Sequence, residues 1–265
     1  MSATLVLPGR FNGPARSANG GFTAGSLAER VAVAAGRWLR SERSERLEAT
    51  RSPAVAVEVT LRRPPRMDVA LAVSSVDGVT VLSDGNAPVA EAVPASGAVE
   101  LVEAVPPSVA AEAMQGYPGL RHHPFPTCFS CGPDRAEGDG LRIFPGPVGT
   151  DRGFVASLWV PHRSHAESSD LVDGVQRCGL ATTWAALDCV GGWSEDLEGR
   201  PCVLGRMTAR VDELPVVGET HVVVGRHLGT DGRKSFTAST LYDSDGRVVG
   251  AARHTWIEVD PAVFN

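Results

Sequence analysis

The sequence has little of four features, and each shortage argues against a class of protein. Its Lys and Arg residues do not gather into a basic patch, and a net charge of -6 argues against a nucleic-acid partner. It has no apolar run of about 18 residues, so we expect no membrane span. The first residues lack a basic stretch followed by an apolar core, so we expect no signal peptide. Cysteines number only five, an odd count that favours a reducing cytoplasm over a disulfide scaffold.

What is present suffices for a sizeable core. Hydrophobic residues make up 43% of 265 residues, enough for one large domain or two of about 130 residues. The abundance of Ala, Arg, Gly and Val suggests a bacterial genome of high GC content.

One long apolar helix is predicted over residues 171–193. Ser168, Ser169 and Asp170 offer N-cap oxygens before it, and the pair Gly191-Gly192 favours its end. Apolar residues occupy more than one side, so little of this helix can face water. A carboxylate, Asp188, lies near its end, where burial of a charge requires either a capping or a functional reason.

The chain repeats one order of elements: a strand, a helix next to glycines, then three or four antiparallel strands. We interpret this as an internal repeat of about 130 residues. Between the repeats, residues 95–150 are rich in Pro and Gly, but Phe125, Phe129, Ile143 and Phe144 need burial, so this connection is expected to be ordered. The predicted units are an N-terminal repeat (1–105), a linker (106–150) and a C-terminal repeat (151–265). Strands are predicted at 4–8, 54–62, 68–75, 78–84, 87–94, 153–160, 203–212, 219–228, 234–243 and 247–259, and the first helix at 23–39.

Four stretches of this pattern resemble the double hotdog acyl-CoA thioesterases of the thioesterase II type. They are NGGFTAGSLA at 19–28, VEVTLRRPPRMDVAL at 57–71, TTWAALDCVGG at 182–192, and the closing strands at 216–256. The resemblance implies an α+β double hotdog, in which each of two tandem repeats wraps an antiparallel sheet around a long central helix.

The resemblance also implies catalytic residues. In the thioesterase II type, an Asp on the second central helix, a Ser or Thr on the next strand and a Gln on the last strand activate water. Asp188 and Thr208 match the first two positions, and His254 stands where the family has Gln. Counting by twos places Thr208 on one strand face with Leu204 and Arg206. Ordinary structural roles for all three residues are the competing interpretation.

Substrate-binding residues are predicted at helix starts. Asn19, Gly20 and Gly21 precede the first helix, where free N–H groups can polarise a carbonyl oxygen. Gly174 is the corresponding residue of the second repeat, although a plain helix start explains either position. Trp193, just past the second helix, is a candidate to line an acyl tunnel.

Cys128 and Cys131 form a Cys-x2-Cys pair, which is half of a zinc site. His162-x2-His165 is one candidate for the other half, and His122-His123 lie nearby in sequence. Two buried linker thiols are the favoured interpretation, and we expect no cofactor.

The expected function is hydrolysis of an acyl-CoA or acyl-carrier thioester by water that Asp188 activates. A non-catalytic acyl- or CoA-binding hotdog is the alternative. A hotdog hydratase is disfavoured because no Asp-x4-His pair lies near Asn19 or Gly174. The expected partner is a small acyl thioester, and exposed sheet edges are compatible with a homo-oligomer.

Overall fold

A computed structural model describes residues 3–34, 55–166 and 175–264 of the chain. Within these ranges the predicted strands are confirmed, and their ends differ from prediction by at most three residues. The helices are α1 (Gly20–Ala34), α2 (Pro107–Gln115) and α3 (Leu180–Trp193). The strands are β1 (Ala3–Val6), β2 (Val57–Leu61), β3 (Ala70–Val76), β4 (Val79–Asp84), β5 (Ala87–Pro94), β6 (Gly146–Val148), β7 (Asp151–Trp159), β8 (Cys202–Val211), β9 (His221–Asp231), β10 (Lys234–Tyr242) and β11 (Val248–Glu258).

The eleven described strands form one antiparallel sheet in the order β1-β3-β4-β5-β2-β8-β11-β10-β9-β7-β6. Strands β2 and β8 pair at its centre, where Glu58 lies opposite Thr208. Counted outward from this junction, the first half has the order β2-β5-β4-β3-β1 and the second has the order β8-β11-β10-β9-β7-β6. In each half, the strand that follows the central helix lies at the junction, and the last strand of that half lies beside it. The two halves therefore have the same strand order, with β6 as an addition to the second. A large antiparallel sheet with few helices fits the hotdog fold.

Helices α1 and α3 pack against one face of the sheet and cross each other closely. A Cβ atom added at Gly21 would lie 2.5 Å from the Asp188 Cβ, and one added at Gly25 would lie 2.7 Å from the Ala181 Cα. Real side chains do not approach so closely, so the Gly21-x3-Gly25 pair is what allows the two helices to touch. This contact brings the N-terminus of α1 beside the middle of α3.

Helix α3 is buried along its whole length, as its apolar composition predicts. Its predicted start was wrong: the helix begins at Leu180, with Gly179 as its extended N-cap. The residues before it pair with the segment ahead of β9 instead, since the Cys178 amide bonds the Pro215 carbonyl. At residues 176–178, backbone hydrogen bonds to a neighbouring segment thus replace the predicted helix. The proposed caps at 168–170 lie outside the described residues.

The connection between the two halves is ordered, as the sequence predicts. Phe125, Phe129, Ile143 and Phe144 are all buried. The Ser130 hydroxyl donates to the Ala185 carbonyl of α3 over 2.8 Å, which fastens the connection to that helix. The connection also contains α2, which the sequence interpretation missed.

Helix α2 covers the sheet face opposite α1 and α3. Its Ala110 and Ala113 pack with Phe154, Val222 and other buried side chains of the second half. This outer layer explains why strands β7, β9 and β10 are buried on both faces. None of the helices in the described ranges has the length and apolarity needed to cross a membrane.

Candidate active site

A cavity of about 270 Å³ opens where the N-terminus of α1, the middle of α3 and the connection meet. Its wall is mostly apolar and includes Leu61, Leu204 and Trp256 from the sheet. Asp188 contributes a carboxylate to this wall, and Asn19 and Gly20 contribute polar groups. A mainly apolar cavity with a few convergent polar groups is the usual form of a small-molecule site.

Asp188 is 2% exposed and belongs to α3, which is buried along its whole length. Its Oδ2 accepts a hydrogen bond of 2.8 Å from the backbone N–H of Gly21. Its Oδ1 is buried and has no hydrogen-bond partner among the described residues. Burial raises the pKa of Asp188 to about 7, although the Gly21 amide and the Asn19 side chain favour the charged form. One carboxylate oxygen is thus anchored and the other is uncommitted.

The start of α1 holds this carboxylate because of its own local sequence. Asn19 caps the helix, and its Oδ1 accepts a hydrogen bond of 2.8 Å from the Phe22 amide. Gly20 lines the cavity, and Gly21 faces Asp188. The predicted polar start of the first helix therefore lies beside the acid of the second helix. Gly174, the other predicted helix-start residue, lies outside the described residues.

Thr208 does not lie beside Asp188, contrary to the sequence interpretation. Its neighbours Met207 and Ala209 are buried against the helices, so alternation turns Thr208 to the opposite face. There its hydroxyl donates to the Glu58 carboxylate over 3.3 Å. The predicted face also included Leu204, which the structure places on the other side. An irregularity in the pairing near Gly205 changes the alternation between these positions.

His254 also does not meet Asp188 at the cavity. It is 3% exposed and lies beneath α3, where a Cβ atom on Gly191 would touch its Nδ1. That Nδ1 lies 3.2 Å from the Thr237 hydroxyl oxygen. The Thr237 hydroxyl also accepts a hydrogen bond of 3.0 Å from the Trp256 indole N–H. Burial lowers the pKa of His254 to about 3, so the ring is neutral.

A cluster of three cysteines forms another part of the cavity wall. Cys128 and Cys131 come from the connection and Cys189 from α3, and their sulfur atoms all lie within 4.8 Å of one another. Sequence analysis singled out the first two but missed Cys189. The only available signal was its place beside Asp188 in the same buried helix. Trp193 lines the same cavity, where the sequence predicts a substrate-binding residue.

Of the histidines proposed as partners of Cys128 and Cys131, His162 and His165 lie away from the cysteines, whereas His123 lies beside them. Within the described ranges, the groups that can jointly hold a metal ion are the three cysteines, and neither His162 nor His165 is among them. His162 bonds the Ser164 hydroxyl at 2.9 Å, at another part of the surface. His123 is adjacent to the cluster, with its Nε2 3.3 Å from the Cys131 sulfur.

Three solved structures match nearly the whole chain in fold. A candidate thioesterase from Novosphingobium aromaticivorans has a TM-score of 0.57 and 11% identity, covering 98% of this chain and 95% of its own. The tesB protein of Mycobacterium avium subsp. paratuberculosis has a TM-score of 0.54 and 13% identity, with 96% and 91% covered. A candidate thioesterase II from Thermobifida fusca has a TM-score of 0.54 and 14% identity, with 98% and 92% covered.

No protein-family model matches the sequence, and no curated protein matches it. The predicted resemblance to the thioesterase II type is therefore confirmed at the level of the fold. At 11–14% identity the likeness shows the fold and carries no assignment of substrate or residue roles.

Proposed function

We propose that the protein hydrolyses an acyl-CoA or acyl-carrier thioester in the cavity lined by Asp188. The observation that carries this proposal is the uncommitted Oδ1 of a buried carboxylate on a mainly apolar cavity wall. A buried carboxylate oxygen without a partner is costly, and function is a common reason for its presence.

The proposed reaction uses Asp188 as a general base. Its Oδ1 accepts a proton from a water molecule while the water oxygen bonds to the thioester carbonyl carbon. The C–S bond then breaks, and the thiolate leaving group takes the proton from Asp188. The Gly21 amide holds Oδ2 and so fixes the direction of Oδ1.

The N-terminus of α1 is the proposed site for the developing oxyanion. The amides of a helix N-terminus lack intrahelical acceptors and favour negative charge. Those of Gly21 and Phe22 bind Asp188 and Asn19, so the Gly20 amide is the donor proposed for the oxyanion. Gly20 lines the cavity at this terminus and permits close approach of a carbonyl oxygen. Trp193 and the apolar wall would enclose the acyl chain.

We further propose that residues 1–105 and 151–265 are two tandem hotdog repeats joined by the connection at 106–150. The equal strand order of the two halves supports this division. In it, the acid comes from the second repeat and the helix N-terminus from the first.

A non-catalytic acyl-binding protein is the second candidate, and one observation favours it. Thr208 and His254, the residues matched to the water-binding pair of the thioesterase II type, lie away from Asp188. Binding of acyl-CoA without turnover would establish this second function.

The test is a panel of acyl-CoAs, with CoA release followed for the wild type and for Asp188→Asn. We expect kcat/KM to fall by about 10²–10⁴-fold in the variant, the usual contribution of a general base. Asp77→Asn is the matched control, because Asp77 lies exposed on the β3–β4 turn and should turn over substrate as the wild type does. Wild-type activity in Asp188→Asn would remove Asp188 from the mechanism.

A further inference from the structure

The three clustered cysteines come from two distant parts of the chain. Cys128 and Cys131 lie on the connection, and Cys189 lies on α3 about sixty positions later. All three are free thiols, and all three are buried. The fold therefore brings three soft ligand atoms together at the wall of the active-site cavity.

The spacing of the sulfurs suits one metal ion between them. Two sulfurs bound to a tetrahedral zinc ion at about 2.3 Å lie about 3.8 Å apart. The Sγ atoms of Cys128 and Cys189 are 3.7 Å apart. The Cys-x2-Cys spacing of the other pair is the one that zinc sites use most often.

His123 is placed to support this cluster as a hydrogen-bond donor. Its Nδ1 accepts a hydrogen bond of 2.9 Å from the Phe125 amide. The ring proton of the neutral imidazole is then on Nε2, which lies 3.3 Å from the Cys131 sulfur. His123 therefore donates a hydrogen bond to the Cys131 sulfur, and its ring has no free lone pair for a metal ion.

The other sulfurs also have an N–H donor nearby. The Asn19 side-chain amide lies 3.8 Å from the Cys128 sulfur and 4.0 Å from the Cys189 sulfur. Such N–H groups around the sulfurs are the usual surroundings of metal-bound thiolates. Three thiolates in this interior would need a cation, because buried charges are paired or bind metals.

Among the metals that prefer thiolates, zinc is the one whose tetrahedral sites commonly combine three protein ligands with an open fourth position. Thiolates bind Zn²⁺, Cu⁺ and iron–sulfur clusters, but clusters ordinarily take four cysteines. In the part of the chain that the structure describes, Cys178 and Cys202 do not join the other three.

We propose that Cys128, Cys131 and Cys189 bind one zinc ion whose fourth coordination position opens to the cavity lined by Asp188. All three cysteines line that cavity, so water or a substrate atom can reach the fourth position. The ion would also pin the connection to α3. This site is independent of the hydrolysis proposed above.

The first test is the metal content of the full chain, purified without a metal-binding tag. We expect about one equivalent of zinc, with X-ray absorption showing three sulfur ligands at about 2.3 Å and one oxygen or nitrogen ligand. Zinc below a tenth of an equivalent, after refolding with zinc and a reductant, would overturn the proposal. Iron in place of zinc would also overturn it.

Cysteine variants test which residues bind the ion. We expect Cys128→Ser, Cys131→Ser and Cys189→Ser each to lose tight zinc binding, measured by competition with a chromophoric chelator. Cys178→Ser and Cys202→Ser are the matched controls, since both cysteines are buried and lie outside the cluster. Retention of zinc by Cys189→Ser, or its loss from both controls, contradicts the assignment.

Variants that fail to fold do not block the test, because cobalt can replace zinc in the wild type. A tetrahedral site with three thiolates gives intense sulfur-to-cobalt charge transfer, and a spectrum without it would overturn the proposal. Zinc in a protein without thioesterase turnover would reject only the proposed function, whereas turnover by zinc-free protein would leave that function in place.

Discussion

The central helices of the two halves have different buried residues at the ninth position from their starts. Counted from the first helical residue, Asp188 is ninth in α3 and Ala28 is ninth in α1. Both side chains are buried, so the first half presents a methyl group where the second presents a carboxylate. The first half contributes the Gly21 amide at the start of α1, which binds this carboxylate. Two halves with the same strand order thus contribute different chemistry to one cavity.

The sharpest way to break this comparison is to give the first half an acid of its own. We expect Ala28→Asp to lower the free energy of unfolding by about 3 kcal/mol or more, because it buries a carboxylate without a prepared donor. Urea unfolding followed by circular dichroism measures the change.

Arg30→Asp is the control for that substitution, since it places Asp on an exposed position of the same helix. Its effect should stay within about 0.5 kcal/mol. Equal stabilities of Ala28→Asp and the control would mean that the first half accommodates an acid as readily as the second.

The next test alters the contact between the two helices. We expect Gly21→Ala to cost about 1–3 kcal/mol of unfolding free energy, because the added methyl group overlaps the Asp188 Cβ and the Trp184 backbone. Thermal unfolding checks this, with Gly153→Ala as the control, since a Cβ there meets no atom closer than 3.4 Å. Unchanged stability in Gly21→Ala would show that the helices can separate without cost.

The last hairpin of each half carries an Asp, and the Asp of the second half is the more strongly hydrogen-bonded of the two. Burial alone would raise the pKa of Asp243, but its bonds from the Arg247 amide and side chain hold that pKa below its usual value. The depressed pKa means that Asp243 stabilises the fold above about pH 4 and loses this effect as pH falls through the folded pKa. In the first half, Asp84 pairs with the exposed Arg66 at 3.2 Å.

We therefore expect Asp243→Asn to cost about 1–2 kcal/mol at pH 7, with the difference from wild type shrinking as pH drops below about 4. Asp84→Asn should change stability by less than about 0.5 kcal/mol at any pH. Urea unfolding at several pH values measures both. A constant difference across pH would disconnect the Asp243 effect from its charge.

The smallest effect is expected at a residue that family resemblance would rank among the most important. Thr208→Ala should lower kcat/KM by less than about threefold, equivalent to under about 0.7 kcal/mol of transition-state stabilisation. The reason is that the hydroxyl bonds Glu58 on the sheet face away from Asp188. A loss of about 10²-fold would restore Thr208 to the reaction.

Local pattern was enough to predict ten of the eleven described strands, all but β6, and the burial of α3, because alternation and apolar composition act over neighbouring residues. It failed where a partner distant in sequence decides the structure. Residues before Leu180 pair with the segment at 215–217 rather than continuing the helix. Leu204 was wrongly grouped on the face of Thr208 because one irregular pairing near Gly205 reverses the alternation.

The candidate site was predictable as a set of residues but not as an arrangement. Asp188 and the Asn19-Gly20-Gly21 start were both singled out, yet nothing local shows that they meet across the two halves. Cys189 illustrates the same limit, because a lone cysteine in an apolar helix resembles any small core residue. Its relation to Cys128 and Cys131 depends on how the connection folds back onto α3.

The hydrogen bond between the Gly21 amide and Asp188 makes amide exchange at Gly21 a measure of opening between α1 and α3. This single proton belongs to one helix and is held by the other, so its exchange with deuterium requires the two helices to part or the carboxylate to turn away. The exchange rate at that position would therefore report how often the crossing opens. Ligand entry, helix movement and carboxylate orientation can all be followed at one backbone site.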